Sequence, residues 1–106
     1  MTDKIVVLST CANQEEANRI ARVLVEARVA ACATIVPGAR SIYRWQGAIE
    51  ESEECLLIIK SSLPLFDSLR ETLENAHSYE VPEMLAWQVA AGAPRYMSWL
   101  EGELGA

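Results

Sequence analysis

The sequence has few basic residues and no long apolar run. Its 106 residues include two lysines and seven arginines against 15 acidic residues, which gives a net charge of −6. Because binding to a phosphate backbone requires clustered Lys and Arg, this charge balance excludes generic nucleic-acid binding. The longest apolar stretches, such as residues 29–36, fall well short of the roughly 18 residues that a membrane-spanning helix needs. We therefore expect neither a nucleic-acid partner nor insertion into a membrane.

We also expect neither a disulfide framework nor a secretory leader, and the motifs of common enzymes do not occur. Cys11, Cys32 and Cys55 are odd in number and widely spaced, which favours free thiols in a reducing compartment. The N-terminus has no basic segment followed by the apolar core of a secretory signal. No Gly-rich phosphate loop, Ser-His-Asp arrangement or HExxH motif occurs. These features predict a cytoplasmic protein that is not an enzyme.

What the sequence does have is enough apolar residues for one folded domain. Hydrophobic residues make up 51% of the chain, and no linker-like stretch or internal repeat divides it. We therefore expect a single domain over residues 1–106. A chain of this length hides only about 60–65% of the surface that its unfolded form exposes, so association of subunits is expected to supplement a thin core.

The order of apolar patterns predicts an α+β fold. Asn13 followed by Glu16 indicates a helix start, Pro37-Gly38 indicates a bulge, and Gln46-Gly47 predicts a tight hairpin turn. The predicted strands cover residues 5–10, 29–45, 48–60 and 84–89, and the predicted helices cover residues 13–28, 63–75 and 94–100. The order βαββαβ plus a C-terminal helix predicts a ferredoxin-like, four-stranded antiparallel sheet with a long hairpin between its second and third strands.

Three spaced segments form a distinctive combination. Residues 30–38 are AACATIVPG, residues 41–47 are SIYRWQG, and residues 77–83 are HSYEVPE. Together they resemble the CutA family, named for divalent-cation tolerance, and the similarity runs nearly end to end. The resemblance implies a homotrimer of ferredoxin-like subunits similar to PII-type signalling proteins, and a link to copper and other divalent metals. The chain departs from the family pattern at Ser9 and Ala76, where some members carry a Cys and a second His.

His77, the only histidine, is the leading candidate metal ligand. Its imidazole suits copper, zinc or nickel, while the alternative is an ordinary loop histidine after a helix end. Glu83, six residues further on, could add a carboxylate, or it could accept hydrogen bonds from loop amides. Cys32 could supply a thiolate from another strand or subunit, or act as a small hydrophobe. We predict binding of copper(II), or another divalent cation, by His77, Cys32 and Glu83.

The hairpin is the expected contact between subunits. Ile42, Tyr43 and Trp45 are apolar or aromatic, and we predict that they form the trimer interface. The acidic residues 50–54 are expected to be solvated. Two functions remain open: a protein that binds metal and serves metal tolerance, or a PII-like signalling module that binds a small ligand or a partner protein. An enzyme that uses Cys32, His77 and Glu83 is a third, disfavoured alternative.

Overall fold

The computed structural model describes residues 1–105 and confirms the predicted element order. The strands are β1 (Lys4–Cys11), β2 (Cys32–Trp45), β3 (Ala48–Ser62) and β4 (Leu85–Gln88), and the α-helices are α1 (Gln14–Glu26), α2 (Phe66–Ala76) and α3 (Pro94–Glu103). The sheet is antiparallel with the strand order β2-β3-β1-β4, so the fold is α+β and ferredoxin-like as predicted. No helix among residues 1–105 is both long and apolar enough to cross a membrane.

The two faces of the sheet differ in how well they are covered. Side chains alternate between the faces along a strand, so every second residue of β1 and β3 points towards α1 and α2. The largest residues of the resulting core are Ile5, Val7, Ile20, Leu24, Leu57, Ile59, Leu69 and Leu73. On the opposite face, Trp87 and Leu85 of β4 pair with Val6 and Leu8 and remain more than half exposed. One apolar face of the sheet is therefore uncovered in the single chain.

The second strand begins later than the sequence pattern predicts. Residues 29–31 were expected in the strand, yet the strand begins at Cys32. The reason is the end of α1, where Arg28 adopts a positive φ of 60°. The amides of Val29 and Ala30 then donate to the carbonyl of Leu24, at 3.2 and 3.3 Å. These residues close the helix instead of extending the sheet.

The long hairpin extends away from the core. The pairing of β2 with β3 continues past a bulge between Val36 and Ala39 to a tight turn at Gln46 and Gly47, where φ is 51° and 84°. Two consecutive positive φ values match the twist of a two-residue hairpin loop. The principal extents of the chain are 45 × 25 × 23 Å, and this elongation is consistent with a projecting hairpin.

Candidate metal centre

One end of the sheet brings together two connections that are distant in sequence. β1 ends at Cys11 and leads directly into α1, while α2 ends at Ala76 and leads into the loop before β4. His77, the first residue of that loop, reaches β1, and its Nε2 lies 2.7 Å from the carbonyl oxygen of Thr10. The topology thus places the sole histidine against the β1–α1 connection.

A sulfur, a carboxylate and an imidazole converge there. The candidate ligand atoms of Cys11, Glu16 and His77 all lie within 4.8 Å of one another. Cys11 and Glu16 are buried, and His77 is half-buried. A mixed set of sulfur, oxygen and nitrogen donors suits copper or zinc better than magnesium or calcium, which prefer oxygen alone.

Glu16 is held in place by backbone amides. Its own amide donates to the side chain of Asn13 at 2.8 Å, which forms the predicted helix cap. Its carboxylate accepts from the amides of Ala12 at 3.1 Å and Ser78 at 2.9 Å, so it links the two connections. Burial alone would raise the pKa of Glu16, but the hydrogen bonds from Ser78 and Ala12 outweigh burial and hold the pKa below its ordinary value. The carboxylate is therefore ionised at neutral pH.

The hydrogen bonds of His77 define its tautomer. The amide of Tyr79 can only donate, and it lies 3.1 Å from Nδ1 of His77. Nδ1 must therefore be the acceptor, and Nε2 carries the proton that is donated to Thr10. A ring nitrogen that donates to a backbone carbonyl is typical of histidines whose other nitrogen binds metal. An ion that bound Nδ1 would have to displace the Tyr79 amide.

Cys11 is protonated under ordinary conditions. It is fully buried at the end of β1, opposite Cys55 of β3. Burial, together with the nearby negative charge of Glu16, raises the pKa of the Cys11 thiol to about 12. A metal that binds this sulfur must therefore displace a proton.

The same shift predicts that the metal-free fold weakens in alkali. The pKa of Cys11 in the folded chain, about 12, is above the ordinary thiol value of 9.0, so the folded state retains a proton that the unfolded state loses between these values. We expect the melting temperature to fall as pH rises from about 9 towards 12, and to fall less steeply in Cys11→Ala. Cys32→Ala is the control, because this thiol lies outside the core cluster. Calorimetry with a chelator present measures the melting temperature of the wild type and both variants as a function of pH. If all three melting temperatures fell equally with pH, the raised pKa would not belong to Cys11.

Cys32 does not lie beside His77 within the single chain. It pairs with Lys60, which pairs with Val6, whereas His77 contacts Thr10 four residues further along β1. This offset is about 13 Å along the strand, and β2 lies two strands, or about 10 Å, away from β1. The two side chains cannot share an ion unless Cys32 comes from another subunit.

Glu83 is exposed. Together with Glu54, it lines a cleft that also includes Thr10, the residue whose carbonyl contacts His77. The expectation that residues 50–54 are all solvated is wrong for Glu54, of which only 7% is exposed. Its Oε2 accepts a hydrogen bond from the Tyr79 hydroxyl at 2.6 Å. Burial and this hydrogen bond raise the pKa of the Tyr79 hydroxyl, which therefore remains a donor.

Cys11 and Glu16 were not predicted from the sequence as site residues. Cys11 follows a buried strand directly, and Glu16 occupies the third helical position after the Asn13 cap. The cap signal predicts the position of Glu16 but not that its carboxylate reaches the distant loop. Ser9, two residues before Cys11, is also fully buried, and its hydroxyl has no hydrogen-bond partner among residues 1–105.

Comparison with known proteins gives a consistent family assignment. The family model described as CutA1 divalent ion tolerance protein matches residues 5–103. The divalent-cation tolerance protein CutA of Thermus thermophilus is 46% identical over 100 residues, which cover 94% of this chain and 97% of that protein. The chloroplastic protein CutA of Arabidopsis thaliana is 39% identical over 97 residues, or 92% of this chain and 53% of that protein.

Solved structures agree with the sequence comparison. The crystal structure of CutA from Xylella fastidiosa superposes with a TM-score of 0.95 at 41% identity, and the match covers 98% of this chain and 100% of that chain. The CutA1 structure from Thermus thermophilus gives a TM-score of 0.94 at 45% identity, with 96% of this chain and 99% of that chain covered. Because sequence and fold both match over nearly the whole length, this chain belongs to the CutA1 divalent ion tolerance family.

Proposed function

We propose that this chain is a non-enzymatic homotrimer that binds copper(II), or another divalent cation, and serves metal tolerance. The observation that carries the metal site is the convergence of Cys11, Glu16 and His77 within 4.8 Å. His77 anchors the ion through Nδ1, the ionised Glu16 adds charge, and Cys11 adds sulfur once its proton is released. The relatives are named for divalent-cation tolerance, which supports a divalent metal ion as the ligand.

Cys32 and Glu83, the partners of His77 that the sequence predicts, would form an alternative metal site. In one subunit Cys32 is too far from His77, so a site that joined them would have to span two subunits. Glu83 is the more accessible of the two and borders the cleft next to Tyr79, whose amide contacts His77. The Cys11 site needs no neighbouring subunit, and for that reason we favour it.

The trimer is supported by two exposed apolar surfaces of the single chain. One is the uncovered face of the sheet, where Leu85 and Trp87 are 55% and 53% exposed. The other is the hairpin, where Ile42, Tyr43 and Trp45 are 65%, 41% and 46% exposed. Contiguous apolar surface of this kind marks an interface between proteins. The proposed compartment is the cytoplasm, whose reducing conditions suit the three free thiols.

Titration of the wild-type protein with metals tests this function. We expect copper(II) to bind more tightly than zinc or nickel, and magnesium to bind far more weakly. Because the Cys11 thiol is protonated at neutral pH, copper binding should release a proton, and affinity should rise about tenfold per pH unit between pH 6 and 8. Calorimetry in two buffers with different ionisation enthalpies measures the proton release. Copper affinity that is independent of pH, or magnesium binding as tight as copper binding, would contradict the proposal.

A second candidate function is a PII-like module that binds a small ligand. The observation that favours it is the cleft lined by Glu54 and Glu83, which has a volume of 560 Å³ and is large enough for a small organic molecule. The two functions are separable, because a metal site responds to copper in the absence of any organic ligand.

A further inference from the structure

Two of the three free thiols face each other across the sheet. Cys11 is the last residue of β1 and pairs directly with Cys55 of β3, and both belong to the buried core cluster. Directly opposed residues of an antiparallel pair point to the same face of the sheet, with their Cα atoms roughly 4.5–5.5 Å apart. A disulfide joins residues whose Cα atoms are about 4.4–6.8 Å apart. The pair therefore has the backbone spacing of a cross-strand disulfide.

The backbone around this pair is free to adjust. Cys11 ends its strand, and Cys55 lies opposite the bulge of β2, between the residues that pair with Val36 and Ala39. Opposed Cβ atoms are roughly 4.5–5.5 Å apart, whereas a disulfide needs about 3.5–4.5 Å, so the two strands must approach by about 1 Å. A bulge disrupts the ladder locally and eases such a shift. A disulfide formed under some strain is easily reduced again, as transient disulfides in a reducing compartment are.

Burial protects the pair from oxidants in solution, but an ion in the proposed metal site would lie beside it. Cys11 is 0% exposed and Cys55 is 5% exposed, whereas Cys32 is only half-buried. Oxidation of thiols follows exposure, so a soluble oxidant reaches Cys32 first. An ion bound to His77 and Glu16 would contact the Cys11 sulfur, because the three ligand atoms lie within 4.8 Å of one another. Thiolates favour copper(I) over copper(II), so copper(II) is an oxidant with direct access to the pair.

We propose that Cys11 and Cys55 reduce copper(II) to copper(I) and are joined in the process by a cross-strand disulfide. Two S–H bonds break and one S–S bond forms. The two electrons pass to two copper(II) ions, one to each, and the two protons pass to solvent. The reaction is stoichiometric, because it stops when the pair is oxidised and resumes only after a thiol reductant restores it. It rests on the proposed metal site, which brings the ion to Cys11.

Oxidation of the pair also weakens the metal site. The disulfide removes the thiolate of Cys11 and leaves Glu16 and His77 as the remaining ligands of the cluster. We therefore expect the oxidised protein to bind copper about as weakly as Cys11→Ser does. Reduction of copper(II) and release of copper(I) are thus coupled through one sulfur atom.

Peptide mapping of the full chain tests the proposal. Cys32→Ser is the starting protein, because it removes the third thiol and keeps the opposed pair. The reduced protein is incubated with excess copper(II) under anaerobic conditions, and the remaining thiols are then alkylated in denaturant. Cleavage after Lys and Arg places Cys11 in the peptide 5–19 and Cys55 in the peptide 45–60. We expect these peptides to be linked, and a chelator specific for copper(I) to report two copper(I) ions per disulfide.

Two variants and one other oxidant locate the reaction. Cys55→Ala in the Cys32→Ser chain keeps the three proposed ligands, so it should bind copper(II) but retain the paramagnetic resonance signal of the bound ion. His77→Ala removes the anchor of the ion and should slow disulfide formation at least about tenfold. Hydrogen peroxide without copper should also oxidise the pair at least about tenfold more slowly than copper(II), because the pair is buried.

The outcomes separate this proposal from the proposed function. Copper(II) that binds to Cys32→Ser, keeps its resonance signal and leaves the peptides unlinked would overturn the proposal and leave the metal site standing. Linkage at an equal rate in His77→Ala, or with peroxide alone, would show that oxidation does not pass through the metal site and would also overturn it. Absence of copper binding would overturn both the proposal and the proposed function.

Discussion

Replacement of Trp45 by alanine is expected to loosen the proposed trimer. Trp45 is 46% exposed in the single chain and lies near the end of the hairpin, where β2 meets the turn. Truncation of a buried aromatic residue at an interface typically costs about 2–4 kcal/mol. This corresponds to a rise in the dissociation constant on the order of 30-fold to 1,000-fold. Sedimentation across a range of protein concentrations should therefore detect monomer in the variant at concentrations where the wild type remains trimeric.

Trp99 provides a matched control for this experiment. It is also 46% exposed, but it lies on α3, where its ring is 5.6 Å from that of Tyr96. Trp99→Ala removes the same side chain from a different surface, and we expect it to leave the dissociation constant unchanged. If both variants dissociate equally, or if the wild-type protein is monomeric at micromolar concentration, the hairpin is not the trimer interface.

The fold could be predicted from the sequence because each element has a local signal. The β-branched run before Cys11, the cap at Asn13 and the turn at Gln46 and Gly47 all depend on residues close together in the chain. The start of β2 was misplaced because Arg28, not glycine, takes the left-handed conformation that ends α1. Nothing in the composition of residues 29–31 distinguishes a helix closure from a strand.

The candidate site could be predicted only in part. The sequence identifies His77, because it is the sole imidazole, and resemblance to the family draws attention to it. The neighbours of His77 depend on long-range packing, since the amide of Ser78 and the carboxylate of Glu16 meet across 62 positions of the chain. The acidic run 50–54 likewise predicted that Glu54 is solvated. In the structure Glu54 is buried and accepts a hydrogen bond from the Tyr79 hydroxyl. Contacts of this kind have no local sequence signal.

Removal of the imidazole should have the largest effect on metal binding. In the proposed site, His77 binds the ion through Nδ1, while Nε2 stays fixed by the carbonyl of Thr10. Loss of a supporting residue around a metal typically lowers affinity 10-fold to 100-fold, so loss of this ligand should cost on the order of 100-fold or more. Cys11→Ser should also weaken binding, because it replaces sulfur with a poor copper ligand. Cys32→Ser should not weaken binding, because Cys32 lies far from His77 within the single chain.

Calorimetric titration of copper(II) into the wild type, His77→Ala, Cys11→Ser and Cys32→Ser determines whether Cys11 and His77 bind the metal. Circular dichroism verifies that each variant is folded. We expect tight copper binding by the wild type and Cys32→Ser, weaker binding by Cys11→Ser, and a loss of affinity on the order of 100-fold or more in His77→Ala. Equal copper affinities in the wild type and a folded His77→Ala variant, or no copper binding by the wild type, would contradict a copper site at His77.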